Sequence, residues 1–315
     1  RATRWENCRF DQLPGTFILK RTNTWVGSNP TSIEFESRYE MPHGGVRLKT
    51  WQFRFEDWAR FLGWFVSEGC TFVEKRKHGR HRVTTAQKPG PKLDAIKALL
   101  DRMGIVYLSA PDGGRARGVT FSINAIGEHL AKHCGRGAAN KRIPRYILEA
   151  TPPIMEAFLE TYNLGDGSFS NTGTRTYMST SRLLIDDVQE MLVKLGRAGK
   201  ISQGHAKGTT FVVGGRSVVR GTDGYTIYER MKPADSDIIR RKVVKVPYKG
   251  LVYCVSTPHR TIMVRRKGCA MWSGNSDKTV IALRYHRWIA PLQKHPGKST
   301  PDGRTAAALV MRSYQ

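Results

Sequence analysis

The sequence predicts an α+β fold in which one helix-and-strand unit occurs twice and a short β-rich segment follows. Three observations carry this expectation. Two amphipathic helices end in the same way, a second pair of helices stops on matching residues, and strand patterns punctuated by proline begin after about residue 235. The 315 residues are 39% hydrophobic, which suits a packed core rather than a disordered chain.

Residues 1–50 read as irregular, with short apolar runs such as 16–19 between Pro and Gly. From Phe55 the pattern turns helical: Trp58, Phe61, Leu62 and Phe65 stand at i, i+3, i+4 and i+7. Glu56 and Asp57 suit the first turn, and Gly69 suits the position just past the end. A basic, β-like stretch covers 75–87. The next helix runs through Leu93, Ile96, Leu99, Leu100 and Met103 and stops at Gly104. Strand-like segments at 105–109 and 118–123 precede a helix at about 127–134. The order then begins again. Thr151 caps a helix with Pro152 at its first position; Ile154, Phe158 and Tyr162 mark its apolar face, and Gly167 closes it. A strand at 174–180 follows, then a helix through Leu184, Val188, Met191, Leu192 and Leu195 that stops at Gly196. Leu100-Asp101-Arg102-Met103-Gly104 thus has a counterpart in Leu192-Val193-Lys194-Leu195-Gly196, the mark of an internal duplication. Short strands are expected at 243–246, 251–256 and 261–265, and a helix at 280–289.

Charge points to a partner. Lys and Arg number 52 against 26 Asp and Glu, a formal net charge of +26. Self-repulsion of that size opposes compaction, and a polyanion would relieve it with release of counterions. A merely soluble basic protein is the plainer reading. The five cysteines (Cys8, Cys70, Cys134, Cys254 and Cys269) are odd in number and form no CxxC pair, which argues against a disulfide framework or a zinc site. No run of roughly 18 apolar residues occurs, so no membrane span is expected. Arg1-Ala2-Thr3-Arg4-Trp5 resembles neither a signal peptide nor a translation start; it reads as a chain entered in the middle, and a cytoplasmic location is expected.

The paired helices carry the chemistry. The first has Ala59, Gly63 and Ser67 at i, i+4 and i+8, and the second has Ala157, Thr161 and Gly165 at the same spacing. Such stripes let two helix backbones approach closely. One residue after each stripe comes an acid, Glu68 or Asp166, and then a glycine, Gly69 or Gly167. A helix C-terminus prefers cations. Two carboxylates gathered there would repel each other and raise one pKa, unless a hard divalent cation with oxygen ligands sits between them. Carboxylate-bound Mg²⁺ (or Mn²⁺) flanking a phosphodiester activates water and stabilises the leaving oxygen. The plainer reading is a pair of amphipathic helices with frayed acidic ends.

Phe61-Leu62-Gly63-Trp64-Phe65-Val66-Ser67-Glu68-Gly69 resembles the first motif of the LAGLIDADG homing endonucleases, and residues 158–167 resemble the second. The resemblance covers about residues 50–235. It implies two pseudo-symmetric αββαββα-type repeats in one monomer, packed on a pseudo-twofold axis, with saddle-shaped sheets that grip double-stranded DNA. It also implies that Glu68 and Asp166 bind the catalytic metals, with Gly69 and Gly167 beside them at the metal site. Gln87 and Lys88 resemble the polar residues a family strand sends toward the active site, and Lys88 reads as well as a surface lysine. Asn140-Lys141-Arg142-Ile143-Pro144 resembles the segment that supplies a lysine near the scissile phosphates; Lys141 reads equally as a solvated lysine. Lys75, Arg76, Lys77, Arg80 and Arg82 fall where a strand of the first sheet should meet phosphates, or form a solvated hairpin tip. Arg175, Arg182 and Lys207 are the second repeat's DNA-binding candidates. Three features depart from the motif. Thr161 and Asn163 are not its usual small and apolar choices, and Ser179-Thr180-Ser181 stands where the first repeat has Ala86-Gln87-Lys88.

Residues 252–266 resemble the penultimate C-terminal block of inteins, and Trp272-Ser273-Gly274-Asn275-Ser276 resembles a C-terminal splice junction. Asn275 would cleave the chain by attacking its own carbonyl, and Ser276 would accept an acyl group. Gly274 stands where inteins commonly carry His; His259 would supply the missing proton donor, or reads equally as a surface histidine. No N-terminal splicing block is found, so the chain alone is not expected to splice. The resulting division is 1–50 intein remnant, 51–150 first repeat, 151–235 second repeat, 236–275 a Hint-type splicing fragment and 276–315 host protein. The function expected is a Mg²⁺-dependent homing endonuclease within an intein; the alternative is a splicing element whose nuclease has decayed to DNA binding.

Overall fold

The computed structural model describes residues 16–40, 43–74, 80–109, 118–171, 173–230, 238–240, 249, 257, 261–274, 278–281, 284–285, 288–289 and 293–296. In chain order its elements begin with β1 (Thr16–Ile18), β2 (Ser32–Glu40), β3 (Val46–Arg54), α1 (Phe55–Glu68), β4 (Gly69–Glu74) and β5 (Arg80–Thr85). Next come α2 (Pro91–Arg102), β6 (Leu108–Ser109), β7 (Val119–Phe121), α3 (Asn124–His133), α4 (Arg145–Leu148) and α5 (Pro152–Asp166). Then follow β8 (Gly167–Phe169), β9 (Arg175–Ser179), α6 (Arg182–Lys194), β10 (Gly199–His205), β11 (Thr210–Val213), β12 (Arg216–Val219) and β13 (Gly224–Glu229). The last are β14 (Ile238–Arg240), β15 (Thr261–Arg266), β16 (Cys269–Gly274), β17 (Lys278–Ile281), β18 (Arg284–Tyr285), β19 (Trp288–Ile289) and β20 (Gln293–Pro296).

The chain divides into two compact units: residues 21–236 with 266–270, and the remainder. The larger unit is a mixed α/β structure. Its two four-stranded sheets run β4-β5-β7-β6 and β8-β9-β13-β10, so strands lie first, second, fourth, third in both. In each case a long helix runs directly into the first strand. Gly69 and Gly167 therefore have extended backbones (φ −97° and −114°) rather than the left-handed turn that a helix-closing glycine often makes. The second helices do end as their shared residues suggest. Gly104 and Gly196 take φ +65° and +73°, and the following amides return to Leu100 O (2.9 Å) and Leu192 O (2.8 Å).

Apolar burial explains the layering. Trp58, Phe61 and Phe65 of α1 and Phe158 and Tyr162 of α5 are fully buried, with Ile96 and Leu100 of α2 and Ile126 and Leu130 of α3. Leu184, Val188 and Leu192 of α6 and Tyr177 of β9 complete the core. The helices cover one face of each sheet; the opposite faces leave Phe72, Leu108, Met178 and Tyr228 exposed.

Two expectations are corrected here. Residues 32–54 are not irregular. Strands β2 and β3 pair over nine residues each, and Phe35 and Phe53 are buried against Trp58 at ring-centroid distances of 4.7 and 6.1 Å. The segment expected as a helix at 280–289 contains β17, β18 and β19, which pair with β20 or with each other. The strand expected at 261–265 is β15, while those at 243–246 and 251–256 lie outside the described residues. Among the described residues no helix is long and apolar enough to cross a membrane.

Candidate active site at the paired helix ends

Helices α1 and α5 lie side by side with their C-terminal ends together, because the small-residue stripes meet. Gly63 has no room for a side chain: a Cβ there would fall 2.5 Å from Phe158 O and would strike Thr161 Oγ1. The Thr161 hydroxyl in turn lies 2.9 Å from Arg60 O across the interface, so the larger residue in the motif fills the space that glycine leaves. One turn further on, a Cβ on Gly165 would strike the Ser67 side chain and sit 3.4 Å from Glu68 Cγ. The acids that follow, Glu68 and Asp166, are thereby brought together.

The electrostatics follow from that approach. Burial first, and then the Glu68 carboxylate, push Asp166 up to about 7, against the pull of Lys141 and Lys92. No basic residue occupies the last turn of α1 or α5. The missing cation comes from elsewhere in the chain. Lys141 is only 6% exposed; its Nζ donates to Phe65 O (2.7 Å) and Gly69 O (2.6 Å) and lies 3.9 Å from the Phe65 ring centroid. A buried ammonium thus neutralises the negative end of the helix that carries Glu68. Burial lowers its pKa to about 8, against the opposing pull of the Asp166 carboxylate. The backbone that carries this lysine is pinned by α6. Ser181 Oγ donates to Lys141 O (2.5 Å), and Ile143 N donates to Asp187 Oδ2 (2.9 Å).

Glu68 has a second neighbour. Gln87 Nε2 donates to its Oε1 (3.1 Å), and Ala86 N donates to its carbonyl (2.9 Å). Asp166 accepts no hydrogen bond among the described residues. Ser181 caps α6 by accepting Leu184 N. Asn163 is buried and donates to Thr176 O (2.8 Å), so it ties α5 to β9.

The remaining sequence candidates divide into three groups. Gln87 and Lys141 join the acids. Gly69 and Gly167 adjoin them, with the Gly69 carbonyl taken by Lys141. Arg80, Lys88 and Lys207 are exposed, and Arg82 is half-buried and ion-paired with Glu74 (2.9 Å). Arg175 and Arg182 are engaged within the protein, with Glu156 (4.0 Å) and Asp186 (3.0 Å). Lys75, Arg76, Lys77, His259, Asn275 and Ser276 lie outside the described residues. Asp187 escapes sequence reasoning; nothing in its sequence context marks it as the anchor of the Lys141 segment.

The donor set fits a hard cation. Among the described residues no three His, Cys, Asp or Glu side chains gather. The site offers two carboxylates, and water and phosphate oxygens would complete an octahedron, as Mg²⁺ prefers.

Residues 153–232 match the family model described as a LAGLIDADG-like domain. The chain is 29% identical over 144 residues to a DNA polymerase of Thermococcus aggregans, covering 45% of this chain and 8% of the relative. It is 30% identical over 161 residues to the DNA polymerase of Thermococcus hydrothermalis, covering 48% and 9%. A DNA gyrase polypeptide of Mycobacterium gordonae is 35% identical over 149 residues, covering 44% and 26%. The chain therefore spans about a tenth of the polymerases it resembles. Among solved structures, a set of mesophilic variants of the homing endonuclease I-DmoI aligns with 56% of this chain and 84% of that one, at 14% identity and a TM-score of 0.40.

Proposed function

We propose that this chain is a divalent-cation-dependent endonuclease that cuts double-stranded DNA at a specific site, and that it forms part of an intein. The observation that carries the reading is the meeting of Glu68 and Asp166 at the ends of α1 and α5, where burial and repulsion push Asp166 up to about 7. A cation is the simplest relief for that charge, and the +26 net charge suits a polyanionic substrate. Glu68 and Asp166 hold Mg²⁺ or Mn²⁺, which when bound supplies an activated water and stabilises the leaving oxygen. Gln87 orients Glu68. Lys141 holds the end of α1 and counters its negative pole, acting beneath the carboxylates rather than on the phosphate. The two sheets form a saddle about a pseudo-twofold axis, and their helix-free faces meet the major groove. Polymerase relatives that match over only 8–9% of their length suit an inserted element, and Asn275 and Ser276 are the residues proposed for its C-terminal splice junction.

A second reading has a specific observation behind it. Asp166 lacks the hydrogen-bonded amide that Glu68 has in Gln87, which suits a nuclease that has decayed to DNA binding. The test is cleavage of a plasmid carrying the uninterrupted host gene in Mg²⁺, by the native chain and by Glu68→Gln and Asp166→Asn. Cutting by the native chain alone supports the first reading. Binding without cutting by all three supports the second, and equal cutting by all three removes the catalytic assignment.

A further inference from the structure

Between β10 and β13 the chain leaves the second sheet and forms a ribbon of its own. Strands β11 and β12 pair antiparallel in four rungs, from Thr210↔Val219 to Val213↔Arg216, and form a separate two-stranded sheet. Gly214 and Gly215 close it with φ of +54° and +77°, values that a tight hairpin turn requires and that L side chains rarely adopt. At its base Gly208 N donates to Arg220 O and Arg220 N to Thr209 O, both at 2.9 Å. The corresponding connection in the first half, between β6 and β7, has 9 residues (110–118) against 18 here (206–223).

The ribbon's side chains are unusual for solvent. Val212, Val213, Val218 and Val219 are 72, 56, 42 and 63% exposed. A two-stranded ribbon with both faces open is marginally stable in water and gains from burial against a partner. Charge indicates what kind. The ribbon and its base, residues 206–222, contain three Lys or Arg (Lys207, Arg216 and Arg220) and no Asp or Glu. On the face bearing Phe211, Val213 and Val218 stand Arg216 and Arg220, and the Arg220 guanidinium lies 4.1 Å from the Phe211 ring centroid. Apolar groups interleaved with cations, on a ribbon of a width the major groove accepts, match a surface of thymine methyls, guanine acceptors and flanking phosphates.

We infer that the β11–β12 ribbon is a DNA-reading arm, which enters the major groove beyond the base pairs met by the second sheet and makes the recognised site longer on that side. Arg216 and Arg220 meet phosphate or guanine edges, and the valines pack on thymine methyls. This inference rests on the reading of the chain as a duplex-DNA binder.

The test is selection of duplexes from a randomised pool by the full chain in Ca²⁺, followed by fluorescence-anisotropy titration of the selected duplex over a range of salt. Two variants are compared with the native chain: Arg216→Ala with Arg220→Ala, and a deletion of 209–220 that joins Gly208 to Gly221. Thermal unfolding checks that both fold, and the double substitution keeps the test decisive if the deletion does not. The expected result is a native consensus with extra constrained base pairs at one end, absent from the consensus of either variant. Affinity should fall about tenfold or more, and the double substitution should flatten the salt dependence by about two counterions. An unchanged consensus and affinity would overturn the arm while leaving DNA binding in place. Unchanged selection together with loss of self-association would make the ribbon a pairing strand between copies and overturn it equally. A native chain that retains no duplex would remove the underlying reading, and the arm with it.

Discussion

The two halves of the larger unit share a helix–strand–strand–helix order and one sheet order but surround their acids differently. Glu68 is held by the Gln87 amide, and its helix end is neutralised by Lys141. Asp166 has neither aid, and burial beside Glu68 pushes it up to about 7. Matching helix-to-strand junctions thus set the acids in register, while the residues around them make the halves unequal. One acid has an amide donor and a buried cation at its helix end; the other has neither and sits beside the first.

The largest effect should come from the acids themselves. Glu68→Gln and Asp166→Asn should each lower cutting of both strands by about a thousandfold or more, read from a duplex with separately labelled strands on a denaturing gel. If Asp166→Asn still nicks one strand at the native rate, the halves work independently and the shared-cation account fails.

Packing should discriminate next. Gly63→Ala meets backbone at Phe158 O and Tyr162 N, whereas Gly165→Ala meets the movable Ser67 side chain. Chemical denaturation should show a loss of about 2 kcal/mol for the first and about 1 kcal/mol for the second. Equal losses would mean that the helices are not so tightly apposed at Gly63.

Lys141→Met should shift the pH profile. The Lys141 charge draws the Asp166 pKa down, so its removal should raise that pKa further. Less carboxylate would then be present at a given pH, and the rising limb of Mg²⁺-dependent cutting should move to higher pH. A shift to lower pH would contradict the placement of the lysine. The smallest effect belongs to Gln87→Ala: a hydrogen bond to a charged group is worth about 1.5–3 kcal/mol, so both strands should be cut about ten- to a hundredfold more slowly. Slowing of one strand alone would show that Gln87 serves one half of the site rather than the shared pair.

The register of the acids is legible in the sequence, because close helix packing demands small residues every fourth position and the stripes lead straight to Glu68 and Asp166. The matched ends of α2 and α6 are legible for the same local reason. Lys141 is marked by its segment, but its posture is not. That posture depends on Ser181 and Asp187, about 40 residues away, which hold its backbone where it reaches the α1 carbonyls. Strands β2 and β3 escape a sequence reading although Ile33, Phe35, Ser37 and Tyr39 alternate with charged neighbours; the Pro and Gly around them outweigh the alternation. Gly69 and Gly167 read as helix stops, whereas each starts a strand. Arg175 and Arg182 pair with Glu156 and Asp186, which sequence alone does not show.

The central claim is that Glu68 and Asp166 share one site, and the titration of Asp166 tests it most directly. In protein with ¹³C-labelled aspartate carboxyls and no divalent cation, Asp166 should titrate near 7. Its protonated form is favoured by folding, so the stabilisation it gives should fade as pH rises through that value. Glu68→Gln should bring the titration down, since the neighbouring charge is gone, and Mg²⁺ should bring it down in the native chain. An Asp166 that titrates in the usual carboxylate range and responds to neither change would place the two acids apart.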